Sequence, residues 1–221
     1  MKVLVACEES QVVCKAFRER GHEAYSCDIK PCSGGHPEWH IKCDVRAILN
    51  RRPNHFTNGR TGIAITFTTQ HGAIHTIEGW DLIIAHPPCT FLSSAGASRL
   101  FNKDGTAKDG VRYIRGLEAR DLFIRILDAD CPRIAIENPT PLKIYELPRY
   151  TQIINPYMFG NPWRKRTCLW LKGLPELEAT NVVEPDEYWV GNNSKGGHRS
   201  QRIRGVTAPG IADAMAAQWS I

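Results

Sequence analysis

The chain has 221 residues, 42% of them hydrophobic and 23% charged, enough for one well-buried core and too few for two full domains. Its formal net charge of +5 is compatible with a polyanionic partner without requiring one. The first apolar run stops at Cys7-Glu8-Glu9, too short for a signal peptide or membrane span, so a cytoplasmic protein is expected whose eight cysteines are reduced thiols rather than a disulfide framework.

Lys2–Ala6 is an apolar run of strand length. Val12, Val13, Ala16 and Phe17 then recur at helical spacing, and Gly21 is placed to stop that helix. Glu23–Cys27 reads as a second strand ending at Asp28. Residues 54–79 are rich in Thr, Gly and His, with an Ile63, Ile65, Phe67 alternation that predicts an inserted hairpin. After Asp81, the run to Ala85 (Leu-Ile-Ile-Ala) is continuously apolar, as a strand covered on both faces must be. From Val111 to Ala129 the pattern is helical, with Ala119, Leu122, Phe123, Ile126 and Leu127 on one side. Ile134–Ile136, Gln152–Ile154 and Thr167–Leu171 read as further strands, residues 186–204 as a polar exposed loop, and Ile211–Trp219 as a closing helix. This alternation predicts an α/β fold with a doubly wound, mostly parallel sheet over residues 1–221.

Ligands of open α/β sheets bind outside the carboxyl ends of the strands. One such end delivers His86-Pro-Pro-Cys89-Thr90 and another delivers Glu137-Asn138-Pro139. A thiol beside a carboxylate suits one reaction well. Carbon 5 of cytosine becomes nucleophilic once a thiolate adds to carbon 6, provided N3 can accept charge, and a carboxyl group at N3 and the exocyclic amine stabilises that charge. In a duplex the base must first leave the stack.

With these residues in order, His86-Pro-Pro-Cys89, Glu137-Asn138, Arg164-Lys165-Arg166 and Gly205-Val-Thr-Ala-Pro209 together resemble the motifs of the DNA (cytosine-5) methyltransferase family. The resemblance is nearest to its compact, phage-type members and runs from Val3 to Trp219. It implies a Rossmann-like methyltransferase fold that uses S-adenosylmethionine. It assigns Cys89 as nucleophile, Glu137 as the carboxyl at N3, and Arg164 and Arg166 as the basic residues at the base and its phosphate. It implies a cofactor site bordered by Ala6, Cys7, Glu8, Ser10, Asp28, Asp44, His86 and Pro87, and no metal. The departures are a first loop without the family's glycines, Pro162-Trp163 where a glutamine is usual, and only a short stretch (residues 172–204) in place of a target-recognition domain. Residues 205–221 correspond to the family's C-terminal segment folding back on the cofactor domain.

Lys195, His198, Arg199, Arg202 and Arg204 form a basic, glycine-containing run, expected to contact DNA phosphates or else to be a solvated loop. Cys27, Cys32, His36, His40 and Cys43 lack the paired spacing of a zinc site. Methylation of an exocyclic amine calls for Asp, Asn or Ser before Pro-Pro and an aromatic after it, which His86 and Cys89 do not match. RNA or a free cytosine nucleotide as substrate stays open, as does a non-catalytic DNA-binding module.

Overall fold

Val3 and Val5 of the first strand pack toward one layer of the core while Leu4 and Ala6 pack toward the other. That two-sided burial is why the sequence there is apolar without alternation. The structure, a computed structural model, describes residues 1–55, 61–102, 105–106, 108–185 and 205–221. Its strands are β1 (Lys2–Ala6), β2 (Glu23–Asp28), β3 (His40–Lys42), β4 (Arg52–His55), β5 (Thr61–Thr68), β6 (Ile74–Ile77), β7 (Leu82–Ala85), β8 (Ile134–Asn138), β9 (Gln152–Ile154) and β10 (Thr167–Lys172). Its helices are α1 (Val12–Glu19), the single turn α2 (Ala97–Leu100), α3 (Gly110–Leu127) and α4 (Pro209–Gln218).

Seven strands form one sheet in the order β3-β2-β1-β7-β8-β10-β9. The pairs β2·β3, β1·β2, β1·β7 and β7·β8 are parallel, and β10 alone runs against its neighbours β8 and β9. Strand order reverses beside β1, between β2 and β7, with the antiparallel strand inserted next to last. This is a Rossmann-like methyltransferase fold, and the crevice at the carboxyl ends of β1 and β7 is where such sheets take ligands.

α1 and α4 cover one face, where Val13, Phe17, Ile211, Met215 and Trp219 meet Val3, Val5, Leu82, Ile84 and Leu169. α3 covers the other face through Phe123 and Ile126, against Ile83, Ile134, Ile136 and Trp170. On that same side β4, β5 and β6 form an antiparallel three-stranded sheet, which packs Ile65, Phe67 and Ile77 into the core with Trp80 and Tyr25. Ile63, in step with Ile65 and Phe67, is 63% exposed, so the alternation marks the strand but its first residue lies beyond the core edge. Each buried indole donates to a carbonyl: Trp80 Nε1 to Ile48 at 2.7 Å, Trp170 Nε1 to Pro148 at 2.7 Å and Trp219 Nε1 to Pro175 at 3.1 Å, so the polar edge of each large side chain is satisfied. Among the described residues no helix is long and apolar enough to cross a membrane.

β3 has no counterpart in the sequence reading. It is a three-residue strand, too short for periodicity to register, held by pairing with β2 and by His40, whose Nδ1 lies 2.9 Å from Ser26 Oγ and Nε2 2.9 Å from the Lys30 carbonyl.

Candidate active site

β7 and β8 are neighbours in parallel register, with Ala85 opposite Ile136. The next residue on each, His86 and Glu137, therefore emerges at the same height. His86 Nδ1 lies 2.9 Å from Glu137 Oε2. Asn138 donates from Nδ2 to the Pro87 carbonyl at 2.9 Å, tying the two strand exits together beneath the prolines. Cys89 follows on an exposed loop. That loop is braced by Ser93 N–H donating to the Cys89 carbonyl at 2.9 Å, by Arg112 of α3 donating to the Thr90 carbonyl at 2.6 Å, and by the Arg112 guanidinium 5.0 Å from the Phe91 ring.

The Glu137 side chain is only 10% exposed, and three groups answer its charge. Lys165 Nζ stands 3.5 Å from Oε1, and Thr207 Oγ1 donates to Oε2 at 3.2 Å; His86 is the third. Burial pushes this carboxyl up, but Lys165, His86 and Thr207 together outweigh burial and hold it well below the usual carboxylate range. The Cys89 thiol moves the other way: desolvation raises it above its ordinary value and Glu137 adds to that, against the opposing charge of Lys165. Cys89, Glu137 and Lys165 thus form one electrostatic unit.

Arg164 and Arg166 are elsewhere. The Arg164 guanidinium lies 5.8 Å from the Tyr157 ring. Arg166 donates to Thr140 Oγ1 at 3.2 Å and to the Tyr150 hydroxyl at 3.3 Å. The residue between them makes the contact to Glu137. Lys165 is the contact to Glu137 that the motif passes over; the sequence signal for it is alternation, since in an extended run leading into β10 neighbouring side chains leave on opposite sides.

At the carboxyl end of β1, Ala6 is buried and its carbonyl accepts from His86 N–H at 2.9 Å. Cys7 and Gln11 adopt positive φ of 58° and 60°, the left-handed region costly for residues other than glycine. Glu8 is buried, and its two oxygens accept from Val13 N–H at 2.7 Å and Cys14 N–H at 3.2 Å. Its carboxylate therefore caps α1 from outside the helix. Burial pushes this carboxyl above the usual carboxylate range, and His86 and those two amides oppose that shift without cancelling it. Gln11 bonds the backbone of His36 at both its oxygen (3.0 Å) and nitrogen (2.8 Å), so the segment after β2 lies over the first loop; a side chain on Gly34 would overlap the Ser10 carbonyl.

Asp28 ends β2 and accepts from Lys30 N–H at 2.9 Å. Asp44 is exposed just past β3, accepts from Arg46 N–H at 2.9 Å and pairs with the Arg46 side chain at 3.4 Å. Burial, then Asp28, then Asp44 raise the Cys7 thiol to about 12 against the opposing charge of Arg46, so two carboxylates at adjacent strand ends form an acidic cluster around a neutral thiol. Such a cluster fits a ligand bearing hydroxyl and amine donors, as a nucleoside does, whereas Val13 N–H and Cys14 N–H, already bonded to Glu8, are not free to take an anionic group. Pro87 is buried at the start of the loop that carries Cys89. Lys195, His198, Arg199, Arg202 and Arg204 lie outside the described residues.

No protein-family model matches this sequence, and no curated protein is significantly similar to it. Among solved structures, the chain is similar to a crystal structure of a triple-substituted variant of Spodoptera frugiperda DNMT2, with 14% identity and a TM-score of 0.36. That match covers 84% of this chain and 55% of the DNMT2 chain, so this chain spans about half of that relative's length.

Proposed function

We propose that the protein is an S-adenosylmethionine-dependent methyltransferase acting on carbon 5 of cytosine in DNA, a compact relative of the DNA (cytosine-5) methyltransferases. The observation that carries this reading is the joint exit of Cys89 and Glu137 from adjacent parallel strands, with Lys165 between them in charge. In this reading Cys89 adds as thiolate to carbon 6 of a base swung out of the stack. Glu137 sits at N3 and the exocyclic amine, where the ring's electrons accumulate, and Lys165 stabilises both carboxylate and thiolate. Bound S-adenosylmethionine supplies an electrophilic methyl group. Loss of the carbon-5 proton then expels Cys89.

Asp28 and Asp44 would hold the ribose hydroxyls and the adenine amine, and Ala6, Cys7, Ser10, His86 and Pro87 would border the rest of the cofactor, with Glu8 beneath shaping the loop rather than offering its capped amides. Arg164 and Arg166, bonded as they are on the flank, would serve the phosphate next to the flipped base. The basic run at Lys195, His198, Arg199, Arg202 and Arg204, within a reduced recognition segment 172–204, would contact further phosphates.

The test is an oligonucleotide carrying 5-fluorocytosine, incubated with S-adenosylmethionine. Fluorine cannot leave carbon 5 as a proton does, so the attacking thiol stays bonded. An adduct stable on a denaturing gel and lost in Cys89→Ser is expected. Duplex DNA, single-stranded DNA, RNA and the free nucleotide are compared side by side: an adduct on RNA or nucleotide with none on DNA would move the substrate, and no adduct anywhere without cofactor binding would leave a non-catalytic DNA-binding module.

A further inference from the structure

The addition just described gives His86, so far only a border of the cofactor site, no part in the chemistry. His86 is held with its side chain only 12% exposed. Its Nδ1 faces Glu137 Oε2 at 2.9 Å, with Thr207 Oγ1 3.5 Å from the same nitrogen. Its Nε2 is buried with no hydrogen-bond partner among the described residues, so the ring exchanges protons through Nδ1 rather than with water. Glu8, from the first loop, interacts electrostatically with the ring as well, and His86 is the strongest of the groups that counter its burial. The imidazole is thus set between two buried carboxyl groups, one on the cofactor side and one on the base side. Around it stand Glu137 from β8, Thr207 from the segment entering α4, Glu8 from the loop after β1, and Lys165 from the approach to β10, beyond Glu137. Glu137, held as a carboxylate against the ring, is the acceptor that a protonated Nδ1 would face.

Glu137 rests as a carboxylate, so it has no proton of its own to give when a base arrives. We propose that His86 is the proton store of this site: an imidazolium that passes its Nδ1 proton through Glu137 to the ring nitrogen of the base as Cys89 adds, and recovers it on elimination. The step balances. The Cys89 proton goes to solvent at the exposed loop, and the sulfur–carbon 6 bond forms. The carbon 5–carbon 6 electron pair moves into the ring toward N3, which takes a proton from the Glu137 carboxyl. Glu137 takes one from Nδ1, leaving neutral imidazole. When the carbon-5 proton is lost and sulfur leaves, N3 returns its proton along the same path. His86 acts through Glu137 and is a positioning and proton-supplying residue, distinct from the group that touches the base.

This inference rests on the cytosine reading, and its test separates the two. Release of tritium from [5-³H]cytosine in an oligonucleotide, without any methyl donor, reports addition at carbon 6 with proton exchange at carbon 5, free of methyl transfer. His86→Gln keeps a donor toward Glu137 but has no acidic proton to pass on, and His86→Ala removes both. Both variants are expected to lose about 100-fold in exchange rate at saturating oligonucleotide, with half-saturation changed less than about threefold. On 5-azacytosine, whose carbon 6 is already electron-poor, adduct formation by His86→Gln should fall short of wild type by less than about tenfold. Exchange by His86→Gln at the wild-type rate overturns the proposal and leaves a hydrogen-bonding role. Wild-type protein that neither releases tritium nor forms an adduct overturns the cytosine reading itself, and this inference with it.

Discussion

Glu137 is a buried carboxylate kept charged by its neighbours, and that has a measurable cost in acid. Its proton affinity in the folded protein is lowered relative to an unfolded carboxyl at about 4.3, so the ionised form favours folding. That contribution is complete above the ordinary carboxylate range and disappears as pH falls through the lowered one. Glu137→Gln should therefore be less stable than wild type near neutrality by roughly 1–3 kcal/mol, because Lys165 and His86 lose their counter-charge. The gap in melting temperature should close as pH drops below about 4; a gap that stays constant through acid would mean the carboxylate contributes nothing by its charge. Lys165 offers a second check. It lowers the Cys89 thiol against burial, so Lys165→Met should raise that thiol further and slow alkylation of Cys89 by iodoacetamide at neutral pH by roughly three- to tenfold. Equal rates would remove Lys165 from the unit. Lys165 itself was hidden between two arginines that a motif favours, since nothing in three consecutive cations says which one turns inward until the strand they lead into is placed.

At the scale of elements, helices and strands with strong periodicity are legible from the chain. The spacing at Val12, Val13, Ala16 and Phe17 predicts a helix that is found at Val12–Glu19, and the long amphipathic pattern from Val111 to Ala129 corresponds to Gly110–Leu127. The buried face of α1 is shifted by a residue, taking Cys14 rather than Val12, because α1 must meet both β2 and α4. Its start has no ordinary capping residue: Gln11 at the N-cap makes no side-chain cap, and Glu8 supplies the acceptors instead. Glu8→Ala should leave Val13 N–H and Cys14 N–H unpaired in the interior and lower stability by about 1–3 kcal/mol, read as a downward shift of the thermal or denaturant midpoint. An unchanged midpoint would show that water replaces the carboxylate there.

For the whole molecule, sheet order is the deciding fact. Placing β7 beside β1 and β8 beside β7 assembles at one edge a crevice whose parts come from residues near 8, 28, 44, 86, 137, 165 and 207. If this crevice serves a flipped base, binding of an oligonucleotide to this chain of net charge +5 should weaken linearly in log Kd against log salt, with a slope of several phosphates' worth of released counterions. A salt-independent affinity would argue for a free nucleotide as the ligand.

Local pattern in this chain was enough to give the α/β class, the doubly wound sheet and most strand and helix positions, because a strand covered on both faces must be apolar throughout and a surface helix must repeat every three to four residues. Partnership was not readable that way. Which cation reaches Glu137, why Glu8 faces inward, that β10 runs against its neighbours and that His86 bridges two loops are matters of strand order and register. Those bring together residues scores of positions apart, and contacts of that kind are settled by how the whole sheet closes rather than by the preference of any segment.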